Sequence, residues 1–506
     1  MQQQAKEKNN YDVIVVGAGN AALCSALAAR DAGAEVLVLE KAPESASGGN
    51  SHFVGGLMRF PHAGTQDLLD MLEELRGPQA DTLEVAPYTQ EDFFNEIASM
   101  GQYRGDPGLV ETLVSNAREA VKWVHGKGVR FNWSVGRHAH KVNGRYRFFG
   151  GAGLEVSGAG AGLMASLNKA AADAGISIRY GTRALDLLGT YNNTVEGLRV
   201  REDETGRMYE ISAGAVVLAC GGFEASAEMR ARYLGPNWDL AKVRGSKYNT
   251  GDGINMALRF GASPFGHWSG CHATPWDANA PLTGDRSVGD QFSRHSYPLG
   301  IVVNQECRRF MDEGANFHTH TYAKYGREIL AQTGIIAYQI FDQKVIHFLR
   351  SDYRAKQVSK VVGDTIEALA KGLELDPTLL AETVRDFNNA VDQDKAFDPN
   401  VLDGKSTRNL SQVKSNWAQK LDSPPYVGFP VTTGITFTFG GLHINEQAQV
   451  LDGSDAAIKG LYAAGELVGG LFYHNYPSGS GLASGAVFGR AAGTGAAQFA
   501  HAKAAG

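Results

Sequence analysis

An α/β fold is predicted for this 506-residue chain by three consecutive stretches near its start. Residues 11–16, YDVIVV, are a short β-branched and apolar run that reads as a buried strand. The next six residues, GAGNAA, open an alanine-rich helix that runs to about Ala32. A second apolar run, AEVLVLE, then ends in the acid Glu40. Together these make a strand–turn–helix–strand unit of the Rossmann type, with a GxGxxA turn between its first strand and its helix.

Each position of that turn has a physical task. Gly17 permits the sharp bend, and Gly19 lets backbone N–H groups at Asn20 and Ala21 approach a pyrophosphate at the helix N-terminus. Ala22 stands where the fingerprint has its third glycine, which serves close helix–strand packing and tolerates a methyl group. Glu40 lies 23 residues after Gly17, in range of ribose hydroxyls. Lys41 follows it. The unit therefore predicts a bound dinucleotide. Three further glycine-rich approaches favour a long one, FAD, over a nicotinamide cofactor. They are GGNSHFVGG (Gly48, Gly49, Asn50, Ser51, Gly55 and Gly56), AVVLACGG (Ala219, Gly221 and Gly222) and LYAAGE (Gly465 and Glu466).

Composition sets the outer limits. Hydrophobic residues make up 43% and charged residues 20% of the chain, as in ordinary soluble globular proteins. A net charge of −6 argues against nucleic acid or an anionic membrane surface as the main partner. Residues 1–10 read as a polar, frayed tail without an apolar leader, and no run is long enough to span a membrane. The four cysteines form no CxxC pair, so a cluster ligated by this chain is not expected. Reduced thiols and a cytoplasmic location are the corresponding expectations.

The N-terminal fingerprint, GGNSHFVGG, VVLACGGFEAS, NTGDGINMA (with Asp252), IVVNQECRRFMDE and YAAGELVGG occur in this order across residues 11–493. In them the chain resembles the fumarate reductase/succinate dehydrogenase flavoprotein family. WAQKLDSPPYVGFPVTTGITFTFGGL and RFMDEGANF look most like the tricarballylate dehydrogenases of that family, and the C-terminal loop is partly similar to the 3-ketosteroid dehydrogenases. The resemblance implies an α/β fold in which a Rossmann-type FAD-binding domain is interrupted by an inserted α+β substrate-cap domain. The expected boundaries are 11–239 and 426–506 for the two parts of the FAD domain and 240–425 for the cap and its connection. Residues 240–350 are aromatic and histidine-rich without clean periodicity, as suits a cap. Asp376 and Pro377 signal a helix start, and 482–499 reads as a small-residue helix.

The resemblance also implies the chemistry: hydride transfer between a substrate carbon and flavin N5, with a proton moving at the neighbouring carbon. Substrates would be small carboxylates or ketones, with a separate electron acceptor (a quinone, oxygen or an iron–sulfur protein). Fumarate reductases use two arginines for this work. Here Phe317 stands at the first of those positions, eight residues after Arg309, and Tyr476 at the second, after Asn475. Ketosteroid dehydrogenases carry tyrosines at both. Gly481, Ser480 and Leu482 are expected against the flavin, with Tyr476 pointing at the substrate as a neutral hydrogen-bond donor. His272, in CHATP, matches a histidine that contacts a substrate carboxylate in the family. Tyr297, His318 and Tyr322 are further acid–base candidates. Arg59, Arg294, His474 and Phe317 are expected around the substrate. HxH at 318–320 lacks an evident third ligand, so no metal is expected. Relatives with covalent FAD link it near the position of Gly49, so noncovalent FAD is expected here.

Overall fold

The computed structural model describes residues 9–505 apart from 79, 150, 152 and 192. Residues 1–8, most of the expected polar tail, lie outside the described residues. An eight-stranded sheet organises the first unit. Strand Asn10–Val16 runs at its centre, parallel to Val36–Leu39 on one side and to Met208–Leu218 on the other. Strand Ala457–Ala463, from near the end of the chain, lies parallel to Met208–Leu218. Val16 pairs with Leu39 and with Leu218, and Leu218 pairs with Ala463. That register brings four chain segments, distant in sequence, out of the sheet at one edge: Gly17, Glu40, Ala219 and Ala464. Ligands of open parallel sheets bind at this carboxyl-terminal edge.

The strands are buried on both faces because helices cover them. Asn20–Asp31 and the last helix, Ser480–Ala505, pack against one another on one face. Their contact explains the small-residue composition of the last helix. A Cβ on Gly489 would come 2.7 Å from the carbonyl oxygen of Ala21, and one on Gly493 only 2.0 Å from that of Ser25.

A second sheet has six strands, five of them from the residues expected to form the cap. Strand Tyr426–Leu442, 17 residues long, is its spine and pairs with Pro264–Asp277, Ala337–Phe341, Val361–Gly363 and Lys242–Val243. Residues 426–442, read from sequence as the start of the returning FAD segment, thus belong to the cap sheet, because their backbone hydrogen bonds go there. Helix His318–Leu330 lies on strand Pro264–Asp277, close enough that a Cβ on Gly326 would meet the backbone of Ala273 at 2.4 Å. Helix Pro377–Ala390 starts where its sequence signals place it, with the Asp376 carboxylate accepting from Thr378 and Leu379 N–H. No described helix is long and apolar enough to cross a membrane.

Candidate active site

A single cavity runs from the carboxyl edge of the first sheet to the underside of the cap. Its first end is built by the turn after the central strand. Gly17 has φ +108° and sits so close to the neighbouring strand that a Cβ would lie 2.4 Å from the Ala219 carbonyl oxygen. Only glycine fits there. The Glu40 carboxylate accepts from Ala18 N–H at 2.9 Å and Ala42 N–H at 2.7 Å, which counters the rise that burial imposes on its pKa. Ser51 accepts from Asn20 N–H at 3.0 Å, and Lys41 pairs with Asp252 at 2.8 Å. Gly17, Ala18, Asn20, Glu40, Lys41, Ser51 and Asp252 line the cavity together with Gly19, Ala21, Gly49, Asn50, Gly55, Gly56, Ala219, Gly221, Gly465, Glu466, Gly481 and Leu482.

Four expected cofactor residues stand one layer behind that wall. Ala22 is buried in the helix–strand core, and Gly48 packs on Met164. Gly222 lies against the Glu224 and Glu466 carboxyls, and the Ser480 hydroxyl donates to Pro477 O at 2.7 Å. They shape the backbone without facing the cavity. The donor set fits FAD along its length. An acid sits where a ribose belongs, backbone N–H groups cluster at the N-terminus of helix Asn20–Asp31, and the bare start of the last helix forms the wall further in. His52 turns its ring to Arg286, 3.2 Å away, and Gly49 offers no side chain for a covalent link.

The other end of the cavity is polar and charged. His272, on strand Pro264–Asp277, places Nδ1 2.8 Å from the Tyr476 hydroxyl and Nε2 3.2 Å from an Arg244 nitrogen. Arg244 also pairs with Asp290 at 2.7 Å, and Arg137 reaches the other oxygen of Asp290 at 3.2 Å. Burial would raise the Asp290 carboxyl, but the two guanidinium groups hold it below the usual range. Arg350 donates to His318 Nε2 at 2.8 Å and forks onto Asp352. His295 meets Thr274 at 2.5 Å, and His138 stacks on His318 with centroids 5.5 Å apart. Tyr322 lies edge-on to His272, 4.5 Å between centroids.

Burial, reinforced by these arginines, pushes His138, His272, His295 and His318 well below their ordinary pKa, so all four are neutral. Burial and the neighbouring Tyr322 push the Tyr476 phenol well above its usual value.

The structure therefore brings Tyr476, His272, His318 and Tyr322 together at the cavity. It places five other expected residues elsewhere. Tyr297 is wholly buried and bonds Thr321 at 2.6 Å. Arg294 is paired with Asp277 at 2.8 Å inside the cap core, where both are shielded from solvent. Arg59 braces the loop before the last helix through Ser478 O at 2.7 Å and pairs with Glu96. His474 packs on His267, 4.5 Å between centroids. Phe317 stacks on Phe149 and abuts Trp417, facing a separate cleft. Each is held by a local partner that draws it away from the cavity. No metal-holding group of His, Cys, Asp or Glu occurs among the described residues, and His320 pairs with Glu96 at 3.1 Å.

Sequence reasoning missed Arg137, Arg244, Asp290, Arg350, His138 and His295. They come from four separate segments, 137–138, 244, 290–295 and 350. The one local signal was Arg244, which lies five residues before the NTGDG stretch.

This fold, with its edge cavity for a dinucleotide, defines a flavin-dependent oxidoreductase. A family model described as FAD binding domain matches residues 12–482, and the chain belongs to that family. Within it the chain is similar to the probable fumarate reductase Ifc3 of Shewanella frigidimarina, 32% identical across 96% of this chain and 75% of that one. It is also similar to 3-oxosteroid 1-dehydrogenase of Mycobacterium tuberculosis, 28% identical across 93% and 95% of the two chains. The open conformation of a flavocytochrome c3 fumarate reductase superposes with a TM-score of 0.72, at 29% identity over 97% of this chain and 79% of that one. The protein is an FAD-dependent enzyme of the group that acts on carbon–carbon double bonds.

Proposed function

We propose that the enzyme reduces a C=C bond conjugated to a carboxylate, or runs the same reaction in reverse on a tricarballylate-like acid. The observation that carries this reading is the presence of three guanidinium groups, Arg137, Arg244 and Arg350, in the wall of the substrate end. Asp290 pairs with Arg137 and Arg244, Asp352 pairs with Arg350, and Glu155 acts on Arg137 from further off. Guanidinium groups in a buried wall suit a carboxylate, which they bind by paired, charge-assisted hydrogen bonds.

FAD, when bound, supplies the hydride acceptor or donor. The protein supplies the proton side. Arg244 can only donate, so His272 Nε2 must accept and the ring proton sits on Nδ1. His272 therefore donates to the Tyr476 oxygen, which leaves the Tyr476 O–H free to point at Tyr322 or at a substrate. A phenol that stays protonated is a hydrogen-bond donor at neutral pH, suited to holding the negative charge that develops on the substrate oxygen in either direction of the reaction.

A cyclic-ketone substrate is the second reading. It is supported by Tyr476 and Tyr322 standing side by side, where two phenols can bind one carbonyl. Anaerobic mixing separates the two. Reduced enzyme is offered enoates such as fumarate and aconitate, oxidised enzyme is offered tricarballylate and a 3-ketosteroid, and flavin absorbance is followed. Turnover of the acids alone supports the first reading. Turnover of the steroid alone overturns it. The physiological electron partner, a quinone, oxygen or an iron–sulfur protein, belongs to the same proposal.

A further inference from the structure

Two glutamates, one in the cavity wall and one behind it, have no part in that chemistry. Glu224, from the segment after strand Met208–Leu218, is fully buried. Glu466, from the segment after strand Ala457–Ala463, is 9% exposed and lines the cavity. The two carboxyls flank Gly222. A Cβ at that glycine would lie 2.4 Å from Glu466 Oε1 and 2.9 Å from Glu224 Oε2. Glu224 Oε1 accepts from the Asn50 amide at 2.6 Å, and Glu466 Oε1 accepts from Thr438 N–H at 2.9 Å. Glu224 Oε2 is left without a donor.

Two bare carboxylates are acceptors only and repel each other in a buried space. One proton between them removes the repulsion and gives Glu224 Oε2 its missing donor. Burial raises both groups; the charge of Glu224 raises Glu466 further, while a hydrogen bond from Glu466 lowers Glu224, so Glu466 is the more strongly displaced and holds the proton. The charged group facing the pair is Arg230, which bonds the main-chain carbonyl of Glu224 and three other carbonyls, with no carboxylate fork. Its charge supports one anion in the pair but not two. Tyr476 faces Glu466 as a neutral phenol, and Asn50, Asn249 and Thr438 are neutral neighbours.

We propose that Glu224 and Glu466 share one proton while the flavin is oxidised and take up a second when it is reduced. Two-electron reduction of a flavin near neutral pH adds one proton and leaves an anionic ring. Asn50 and Glu466 both line the cavity that would hold this ring system, so a negative charge arising there would stand beside the pair. Protonating the remaining carboxylate from solvent balances the charge, and two protons then accompany two electrons in place of one. The pair stores a proton at the cofactor and holds the reduced flavin at a higher potential. This inference rests on flavin binding alone and stands whichever substrate is correct.

The test is a spectroelectrochemical titration of the holoenzyme from mildly acidic to mildly alkaline pH. The slope of midpoint potential against pH should correspond to two protons per two electrons over part of that range. Glu224→Gln, with flavin retained, should return it to one. Reduced-minus-oxidised infrared spectra of the unaltered holoenzyme should show a protonated-carboxyl band appearing on reduction, and this needs no variant to fold. Glu224→Gln should abolish that band. A one-proton slope throughout, or no new carboxyl band on reduction, overturns the proposal, and so does an unchanged band in the Glu224→Gln variant.

Discussion

His272 Nδ1 stands 2.8 Å from the Tyr476 hydroxyl, and Arg244 on the far side of the ring dictates which atom donates. A strand of the cap and the loop before the last helix are joined through one imidazole at the polar end of the cavity. Most of what the site can do follows from that pair.

Replacing Tyr476 with phenylalanine removes one oxygen and leaves the ring packing on Phe472, 4.5 Å between centroids. The fold and the flavin spectrum should persist. The rate of flavin oxidation or reduction by substrate should fall about 10²–10³-fold, the usual loss for one donor to developing charge. Substrate binding should weaken less, since the donor matters most in the transition state. Rapid mixing measures both. A change under about threefold would remove Tyr476 from the chemistry.

Arg350→Met should weaken binding of a carboxylate inhibitor by about tenfold to a hundredfold, the worth of a hydrogen bond to a charged group. The amide of the same acid should be affected much less. Equal losses for acid and amide would mean that Arg350 serves packing around His318 and not the ligand. Flavin perturbation spectra give both affinities.

The four neutral histidines couple stability to pH. In the unfolded chain they titrate near 6.5, while in the fold they resist protonation. Below about that pH the unfolded state binds more protons than the native state, so stability falls as the medium is acidified, until the depressed native values are reached. The urea midpoint of the holoenzyme should drop on going from pH about 7.5 to 5.5. His295→Asn and His318→Asn together should flatten that dependence. A midpoint that rises on acidification would contradict neutral, buried rings.

Gly19→Val should give colourless protein. A Cβ there already lies 3.4 Å from the Ser51 hydroxyl, and the branched methyls would fill the approach to the helix N-terminus. From the parent enzyme, acid precipitation should release yellow flavin into the supernatant. Colour retained in the pellet would indicate a covalent link instead.

Local signals account for what was readable in the chain. A strand, a glycine turn, a helix start and an acid lie within 30 residues at 11–40, and backbone geometry ties their sequence directly to a dinucleotide site. The glycine-rich strand ends at 215–222 and 461–466 were legible for the same reason, and strand register then set them side by side with Gly17. Tyr476, His272, His318 and Tyr322 were legible as residue types beside recognisable motifs. Whether a long side chain turns inward is not a local property. Arg294 and Arg59 carry the same group as Arg244 and Arg350, yet Asp277 claims the first and Ser478 with Glu96 the second. Arg137, Arg244 and Arg350 converge only because three distant segments fold over one cavity, and Asp290 is buried between two of them. By itself the sequence determined the dinucleotide site, because glycine turns and strand ends act through the backbone within a few residues, while the class of reaction came from the resemblance its motifs carry. Only the tertiary structure decided which charges face the cavity, because ion-pair choice in a buried space depends on partners the fold brings near, as Asp290 is brought to Arg137 across 153 residues.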